Sequence, residues 1–313
     1  MGHGHGHGHG ESGHGASRAA DRRRLRWVLG VTASVMVVEV VGAVVTGSLA
    51  LLADAGHMAT DAGAVVLALG ASYVASLKAG RRSTFGYHRA EVLAALVNAL
   101  VLLAVCGYLA WAGLSRLGDP ARIDVDAGPM IAFAAFGLVA NGVSMAILNR
   151  SDKGSLNLRG AANEVFADLL GSVLAIAAGV VILVTGWDRA DPLASLVIAV
   201  MILPRAVLLL RDAGVVLLEI APQGLELDDV EHHLRHVDGV VDVHDLHAWT
   251  ITSGMPSLSA HVTVTDEALA ARGVGAILDQ LCSCVAEHFD VRHATFQVEP
   301  ESHEAHEDLG ELH

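Results

Sequence analysis

Residues 49–76 read LALLADAGHMATDAGAVVLALGASYVAS, an apolar stretch interrupted by Asp54, His57 and Asp61. A helix needs about 20 apolar residues to cross a bilayer, and this stretch is long enough. Charged side chains are costly inside a bilayer, so they point to function there. Spacings of three and four residues place the three side chains on one helix face. The stretch therefore predicts a membrane-spanning helix with a functional polar face.

The rest of the N-terminal two thirds repeats this apolar character. Of the 313 residues, 53% are hydrophobic and 17% are charged, whereas a soluble domain carries about 25% charge. This composition excludes a disordered chain, and three cysteines exclude a disulfide framework. We predict six transmembrane helices, five of them in addition to 49–76: 27–47, 91–115, 128–148, 156–185 and 191–211.

The positions of Lys and Arg predict the orientation of these helices. Fourteen Lys and Arg residues fall in the N-terminal tail, in the second and fourth connections between the spans and at the flank of the last span, where Arg205 and Arg211 are counted. Three fall in the other connections. Cytoplasmic loops are enriched in positive charge. We therefore expect a multi-pass protein of the cell membrane with both termini in the cytoplasm. The first span is too long for a signal peptide and includes Glu39.

The C-terminal third has a different composition. Residues 1–211 carry a formal charge of +3, and residues 212–313 carry −17. The later residues alternate between helical and strand-like patterns, which predicts a compact α+β domain of order α-β-β-α-β. The predicted divisions are a His/Gly-rich tail, the membrane domain, this cytoplasmic domain and an acidic His-containing tail: 1–24, 25–211, 212–300 and 301–313.

Two acidic residues in another span, together with the polar face of 49–76, predict a metal site within the membrane. Glu164 and Asp168 lie four residues apart in the fifth span. With a rise of about 1.5 Å per residue, His57 comes level with Asp168 and Asp61 with Glu164. One imidazole and three carboxylates can supply the four tetrahedral ligands that zinc favours. The alternative is that these polar groups only pair with one another. Asp54 is either a ligand on the release path or a solvated helix start.

Isolated polar residues in the spans carry a weaker signal. We interpret four of them as helix-packing groups: Glu39, Asn98, Asn141 and Ser144.

The acidic domain holds a second candidate site. His244 and His261 fall on strands expected to be neighbours, and the last strand adds His293 and Glu299. Imidazoles with a carboxylate suit zinc, and such a site can be shared across a dimer. The alternative is a set of surface histidines, which is our interpretation of His232, His233 and His236 on an amphipathic helix.

Two further features carry weak metal signals. The N-terminal tract MGHGHGHGHGESGHG is interpreted as a loose metal collector, with an expression tag as the alternative. Cys282 and Cys284 form a Cys-x-Cys pair, most simply explained as helix residues in a reducing compartment.

Four segments resemble the cation diffusion facilitator family, in particular its bacterial zinc-exporting branch. They are GSLALLADAGHMATDAGA (47–64), TFGYHRAEVLAALVNAL (84–100), ADLLGSVLAI (167–176) and VHDLHAWTITSG (243–254). The resemblance implies a six-helix metal/proton antiporter, a homodimer and a cytoplasmic metallochaperone-like domain.

The resemblance also implies roles for individual residues. His57, Asp61 and Asp168 match the family's transport site, but Glu164 stands where the zinc branch usually has His. In the terminal domain the family's metal positions correspond to His244, His261, His293 and Glu299.

Together these features predict a secondary active transporter, not an enzyme. It would export divalent cations, Zn²⁺ first and Cd²⁺ or Co²⁺ after it, in exchange for protons. Zn²⁺ is expected as the substrate and as a ligand of the cytoplasmic domain, not as a cofactor. The expected partners are membrane lipid and a second copy of the chain, and no nucleic acid is expected. The alternatives are an Mn²⁺/Fe²⁺ exporter, since Glu164 supplies a harder oxygen ligand, a non-transporting metal sensor, or an intramembrane metalloenzyme. The lack of HExxH and P-loop motifs argues against proteolysis and ATP-driven pumping.

Overall fold

The computed structural model describes residues 11–119, 124–149 and 156–302. Within these ranges the chain forms helices and strands in the following order: α1 (Glu11–Thr46), α2 (Leu49–Ala75), α3 (Arg89–Gly118), α4 (Ala127–Asn149), α5 (Leu156–Thr185), α6 (Ala190–Leu217), α7 (Leu227–Arg235), β1 (Val240–Thr250), β2 (Pro256–Val264), α8 (Asp266–Phe289) and β3 (His293–Pro300).

This order confirms the predicted fold class of six long helices followed by an α-β-β-α-β domain. Seven helices in the described ranges are long and apolar enough to cross a membrane, and the seventh is α8. Ile277, Leu281 and Val285 of α8 are buried in the core of the α+β domain, so α8 is a domain helix.

Two helix ends differ from the prediction. Helix α1 begins at Glu11, well before the predicted start at residue 27. Helix α6 continues to Leu217, beyond the predicted end at residue 211. Arg205 and Arg211 therefore lie inside this helix, and do not flank its end.

The chain divides into two compact units. One comprises residues up to Val66 with Asn98–Val207; the other comprises Leu67–Val97 with the residues from Leu208 onward. In the second unit, β1 pairs antiparallel with β2, and β2 pairs parallel with β3. Helix α8 is the crossover that a parallel connection requires.

Small residues hold the helices of the first unit close together. A Cβ added at Gly42 of α1 would lie 2.6 Å from Cγ of Phe133 on α4. Close approach through glycine and alanine is the usual way in which membrane helices pack. Helices α1 and α5 are each followed directly by a glycine with positive φ, Gly47 at 70° and Gly186 at 66°, as expected for helix C-termini.

The start of α2 is fixed by one buried carboxylate. Asp191 of α6 is fully buried and accepts hydrogen bonds from the Ser48 hydroxyl at 2.5 Å, the Leu49 amide at 2.8 Å and the Ala50 amide at 3.1 Å. Nη1 of Arg116 on α3 lies 3.7 Å from Oδ2 of Asp191. Carboxylates are stabilising at helix N-termini because the first amides there have no partner within the helix. Asp191 thus sets the position of α2, which carries the predicted metal ligands.

We expect Asp191→Ala to destabilise the protein by about 2–3 kcal/mol, because it leaves the first amides of α2 without their acceptor and removes the carboxylate that is paired with Arg116. Thermal unfolding of the purified protein in detergent measures the loss. Asp188→Ala is the matched control, since Asp188 is exposed in the same connection. Equal unfolding midpoints for both variants would contradict the capping role.

Candidate metal centre

The polar face of α2 is largely buried. Nε2 of His57 lies 3.6 Å from Oδ2 of Asp61, one helical turn later. Among the described residues, no hydrogen-bond partner is found for Nδ1 of His57, Oδ1 of Asp61 or either carboxylate oxygen of Asp54. Buried polar atoms without partners are rare and require an explanation. Nitrogen and oxygen atoms of this kind are suited to bind a cation.

Helix α5 presents its two acidic residues one turn apart. Asp168 is buried, whereas half of the Glu164 side chain is exposed. Helix α5 therefore offers one buried carboxylate and one that is accessible.

Arg205 of α6 joins these two faces. Its Nη1 donates a hydrogen bond to Oδ2 of Asp61 at 2.9 Å, and its Nη2 donates to Oε1 of Glu164 at 3.2 Å. Sequence reasoning missed this role because it counted Arg205 as a cytoplasmic flanking charge. The available signal was the apolar run from residue 206 to 210, which places the arginine inside the helix.

A cavity of about 340 Å³ opens at this cluster. Asp54, His57, Asn163, Glu164 and Arg205 form its polar lining, and Ile198, Met201 and Ile202 of α6 add apolar side chains. One water occupies about 30 Å³ in the liquid. The cavity is therefore large enough for a cation that keeps part of its hydration shell.

The four predicted ligands are not gathered around one point. His57 meets Asp61 directly, and Asp61 is linked to Glu164 through Arg205. In the part of the chain that the structure describes, only the α+β domain has three metal-ligating side chains that each offer one ligand atom within 4.8 Å of the others. The membrane site therefore has the ligands but not a closed coordination geometry.

Two glycines make room for buried carboxylates beside this site. A Cβ added at Gly171 of α5 would lie 2.6 Å from Cγ of Asp54, and one at Gly137 of α4 would lie 3.1 Å from Oγ of Ser172 and in contact with Glu39. The Ser172 hydroxyl is near Asp54 but does not meet hydrogen-bond geometry. Alanine at either glycine would displace its neighbours.

Two of the isolated polar residues do not fit the simple packing interpretation. Glu39 and Asn141 are fully buried, as expected between helices. Yet none of their side-chain oxygen and nitrogen atoms has a hydrogen-bond partner within the described ranges. Asn98 and Ser144 are also buried, and the Ser144 hydroxyl donates to the Ala140 carbonyl of its own helix.

The cytoplasmic domain brings three of its four predicted ligands together. His244 and His261 face each other in the β1–β2 register. Oε1 of Glu299 lies 3.1 Å from Nδ1 of His261, and Oε2 lies 3.8 Å from Nε2 of His244. Glu299 is 3% exposed. A buried carboxylate between two imidazoles is a donor set that zinc accepts.

The fourth predicted ligand lies elsewhere. His293 pairs with Ser257 at the opposite end of β3 from Glu299, and its ring contacts Phe85 at a centroid distance of 5.4 Å. Six strand residues span about 20 Å, so His293 does not join the group.

Asp245 takes a position near this group that the sequence analysis did not assign. A register irregularity between His244 and His247 interrupts β1, and Asp245 there has φ of 49°. Its Oδ2 lies 3.6 Å from Nε2 of His261, and its Oδ1 lies 2.9 Å from Nε2 of His247. Bulges often redirect a side chain next to a functional site, and strand alternation alone does not reveal them.

The weaker candidates gain little support. Burial and the nearby Glu287 carboxylate raise the pKa of the Cys284 thiol, which disfavours the thiolate that binds metals. His232 and His236 are exposed on α7, and His233 is partly exposed beside His288 and Phe289. Residues 1–10 of the His/Gly tract and residues 303–313 of the acidic tail lie outside the described residues.

Two protein families match the chain along nearly its whole length. The cation efflux transmembrane domain matches residues 25–218. The cytoplasmic domain of cation efflux proteins matches residues 222–301.

Characterised relatives cover most of the chain. The metal cation efflux system protein CzcD of Cupriavidus metallidurans is 40% identical over 279 residues, 89% of this chain and 87% of that protein. The zinc transporter ZitB of Escherichia coli is 40% identical over 279 residues, which are 88% of this chain and 87% of that protein. The cadmium, cobalt and zinc/H⁺-K⁺ antiporter of Bacillus subtilis is 35% identical over 293 residues, 93% of each. A solved metal-bound C-terminal domain of CzcD is 36% identical and covers 24% of this chain and 99% of its own, with a TM-score of 0.22.

We expect Gly171→Ala to lower the free energy of unfolding by about 1–3 kcal/mol, because the added methyl group overpacks against the Asp54 carboxylate. Gly142→Ala in α4 is the control, since a Cβ there meets no atom within 4 Å; it should be neutral or stabilising by up to about 1 kcal/mol. Thermal unfolding in detergent compares the two. A Gly171→Ala protein as stable as Gly142→Ala would refute the close contact with Asp54.

Proposed function

The chain belongs to the cation efflux family, and from that membership and the geometry above we propose that it exports divalent metal cations, zinc first among them, from the cytoplasm in exchange for protons. Relatives described as zinc, cadmium and cobalt transporters support the substrate class. Seven membrane-length helices in the described ranges, six of them in the region that matches the transmembrane domain, make it a multi-pass membrane protein.

The observation that carries the proposal is the buried His57–Asp61 pair with unpartnered ligand atoms beside a cavity. An imidazole and a carboxylate one helical turn apart supply two ligands of a divalent cation. Asp168 and Glu164 on α5 supply the others. Asp61 and Glu164 already share one cation, the guanidinium of Arg205, which supports their action on a common metal ion.

The transport cycle we propose is alternating access. A cytoplasmic cation binds His57, Asp61, Glu164 and Asp168, and the helices rearrange so that the site opens outward. Metal affinity depends on pH because protons compete for the same nitrogen and oxygen atoms. External protons therefore release the cation, and the proton gradient drives export without ATP. The distribution of Lys and Arg supports termini in the cytoplasm of a cell-membrane protein.

The cytoplasmic domain is proposed to sense metal and to form a homodimer. His244, His261 and Glu299 would hold the ion. The charge of −17 over residues 212–313 raises the local concentration of cations. The match of residues 222–301 to the cytoplasmic domain of cation efflux proteins supports the homodimer.

One observation favours a second substrate preference. Glu164 supplies oxygen where an imidazole would supply nitrogen, and harder ligands favour Mn²⁺ or Fe²⁺ relative to a site with two imidazoles. Zn²⁺ still outcompetes these ions in most sites, so it stays first. A sensor that binds metal without moving it is the remaining alternative, and a flux measurement separates the two.

The test is metal uptake by the purified protein in liposomes with an imposed pH gradient, with Zn²⁺, Cd²⁺, Co²⁺, Mn²⁺ and Fe²⁺ compared. We expect saturable Zn²⁺ flux coupled to proton movement in the opposite direction. Asp61→Asn and Asp168→Asn should reduce flux to the background of empty liposomes, because each removes a charged ligand. Asp188→Asn, an exposed carboxylate outside the site, serves as the control.

Full Zn²⁺ flux in Asp61→Asn or Asp168→Asn would show that the transport site is wrongly assigned. Zinc binding without flux in the wild type would favour the sensor. A Mn²⁺ or Fe²⁺ flux above that of Zn²⁺ would establish the second substrate preference.

The cytoplasmic site predicts a separate loss. Glu299→Gln should lower the zinc stoichiometry of the full-length protein by one ion per chain, measured by equilibrium dialysis, because it removes the carboxylate that faces both imidazoles. His288→Asn, an exposed imidazole on α8, should leave the stoichiometry unchanged. An unaltered stoichiometry in Glu299→Gln would exclude this residue as a ligand.

A further inference from the structure

Arg205 contacts two of the proposed transport ligands at once. Its guanidinium is 2.9 Å from Oδ2 of Asp61 and 3.2 Å from Oε1 of Glu164. Oδ2 of Asp61 is also the oxygen that lies 3.6 Å from His57. The arginine therefore bonds the very oxygen that, with the imidazole, would hold a metal ion.

The chemistry of arginine makes this a permanent positive charge. A guanidinium stays protonated in proteins and forms paired hydrogen bonds with carboxylates. Inside an apolar helix such a charge is costly unless it is paired. Within the described residues its ion pairs are with Asp61 and Glu164. Arg205 is thus held at the mouth of the cavity by the same groups that a metal ion needs.

The charge of Arg205 offsets part of the negative charge of the acidic side chains around it, and Asp61 and Glu164 are its direct partners. A divalent cation that enters the site would repel the guanidinium and would take the oxygens that now accept its hydrogen bonds.

We propose that Arg205 is a tethered competitor for the transport site, one that occupies Asp61 and Glu164 when no metal is bound and speeds release by returning to them. This inference rests on the proposed function. It also explains Glu164, because a histidine at this position would offer Arg205 no carboxylate. Glu164 and Arg205 then act as a pair that sets metal affinity.

The test is the dependence of transport rate on Zn²⁺ concentration in liposomes for Arg205→Gln, Arg205→Lys and the control Arg211→Gln. We expect Arg205→Gln to lower KM about tenfold, equivalent to about 1.4 kcal/mol, and to lower kcat, because the ion binds more tightly and leaves more slowly. Arg205→Lys should be intermediate, and Arg211→Gln should match the wild type. Should Arg205→Gln fail to fold by thermal unfolding, Arg205→Met tests the same loss of charge.

A double-mutant cycle isolates the paired residue. In the Glu164→Gln background the arginine has lost one of its two anionic partners, so Arg205→Gln should lower KM by a smaller factor than in the wild type. An unchanged or raised KM in Arg205→Gln, or equal factors in both backgrounds, overturns the competitor role. Asp61→Asn separates the two claims: if it still transports zinc, the proposed site fails, and if it is inactive while Arg205→Gln behaves as wild type, only the inference about Arg205 fails.

Discussion

The structure depends on a constraint of the bilayer, that a buried charge must be paired or bound to an ion. His57, Asp61, Glu164 and Arg205 meet this constraint together on three helices. Arg205 and Glu164 are about half exposed, whereas His57 and Asp61 are mostly buried. A transport site has to bind its ion and release it, and a set of interchangeable charge pairs satisfies both needs. Stronger burial would stabilise one state at the expense of turnover.

The surrounding fold serves to place these charges. Asp191 caps the first turn of α2 through three hydrogen bonds, so His57 and Asp61 keep a fixed depth along the helix. Gly171 leaves the space that the Asp54 carboxylate fills. Hydrogen bonds to backbone amides and close packing thus position the helices, whereas the ion pairs of Arg205 with Asp61 and Glu164 are the contacts that an incoming ion would replace.

Apolar length and period were enough to predict the six helices and the α-β-β-α-β order, because both patterns are local. The membrane ligands His57, Asp61, Glu164 and Asp168 followed from spacing and depth and stay a prediction as a metal site. The contact of Arg205 with the metal ligands was not predicted, because the rule that counts cytoplasmic charges treats every arginine near a helix end alike. The end of this helix was predicted at residue 211, whereas α6 continues to Leu217. His293 was grouped with Glu299 by sequence proximity, although a strand separates them by about 20 Å.

The two candidate sites lie in different environments, one among membrane-spanning helices and the other in the α+β domain, and their chemistry differs for this reason. In the cytoplasmic domain the buried Glu299 carboxylate faces two partly exposed imidazoles, so a metal ion bound there would replace water and protons. In the membrane domain Asp61 and Glu164 are already paired with Arg205, so an incoming ion would replace another cation. Occupancy of the first site would add the charge of the ion to the domain, whereas occupancy of the second would exchange one cation for another. This difference would suit the first site to sensing metal and the second to moving it.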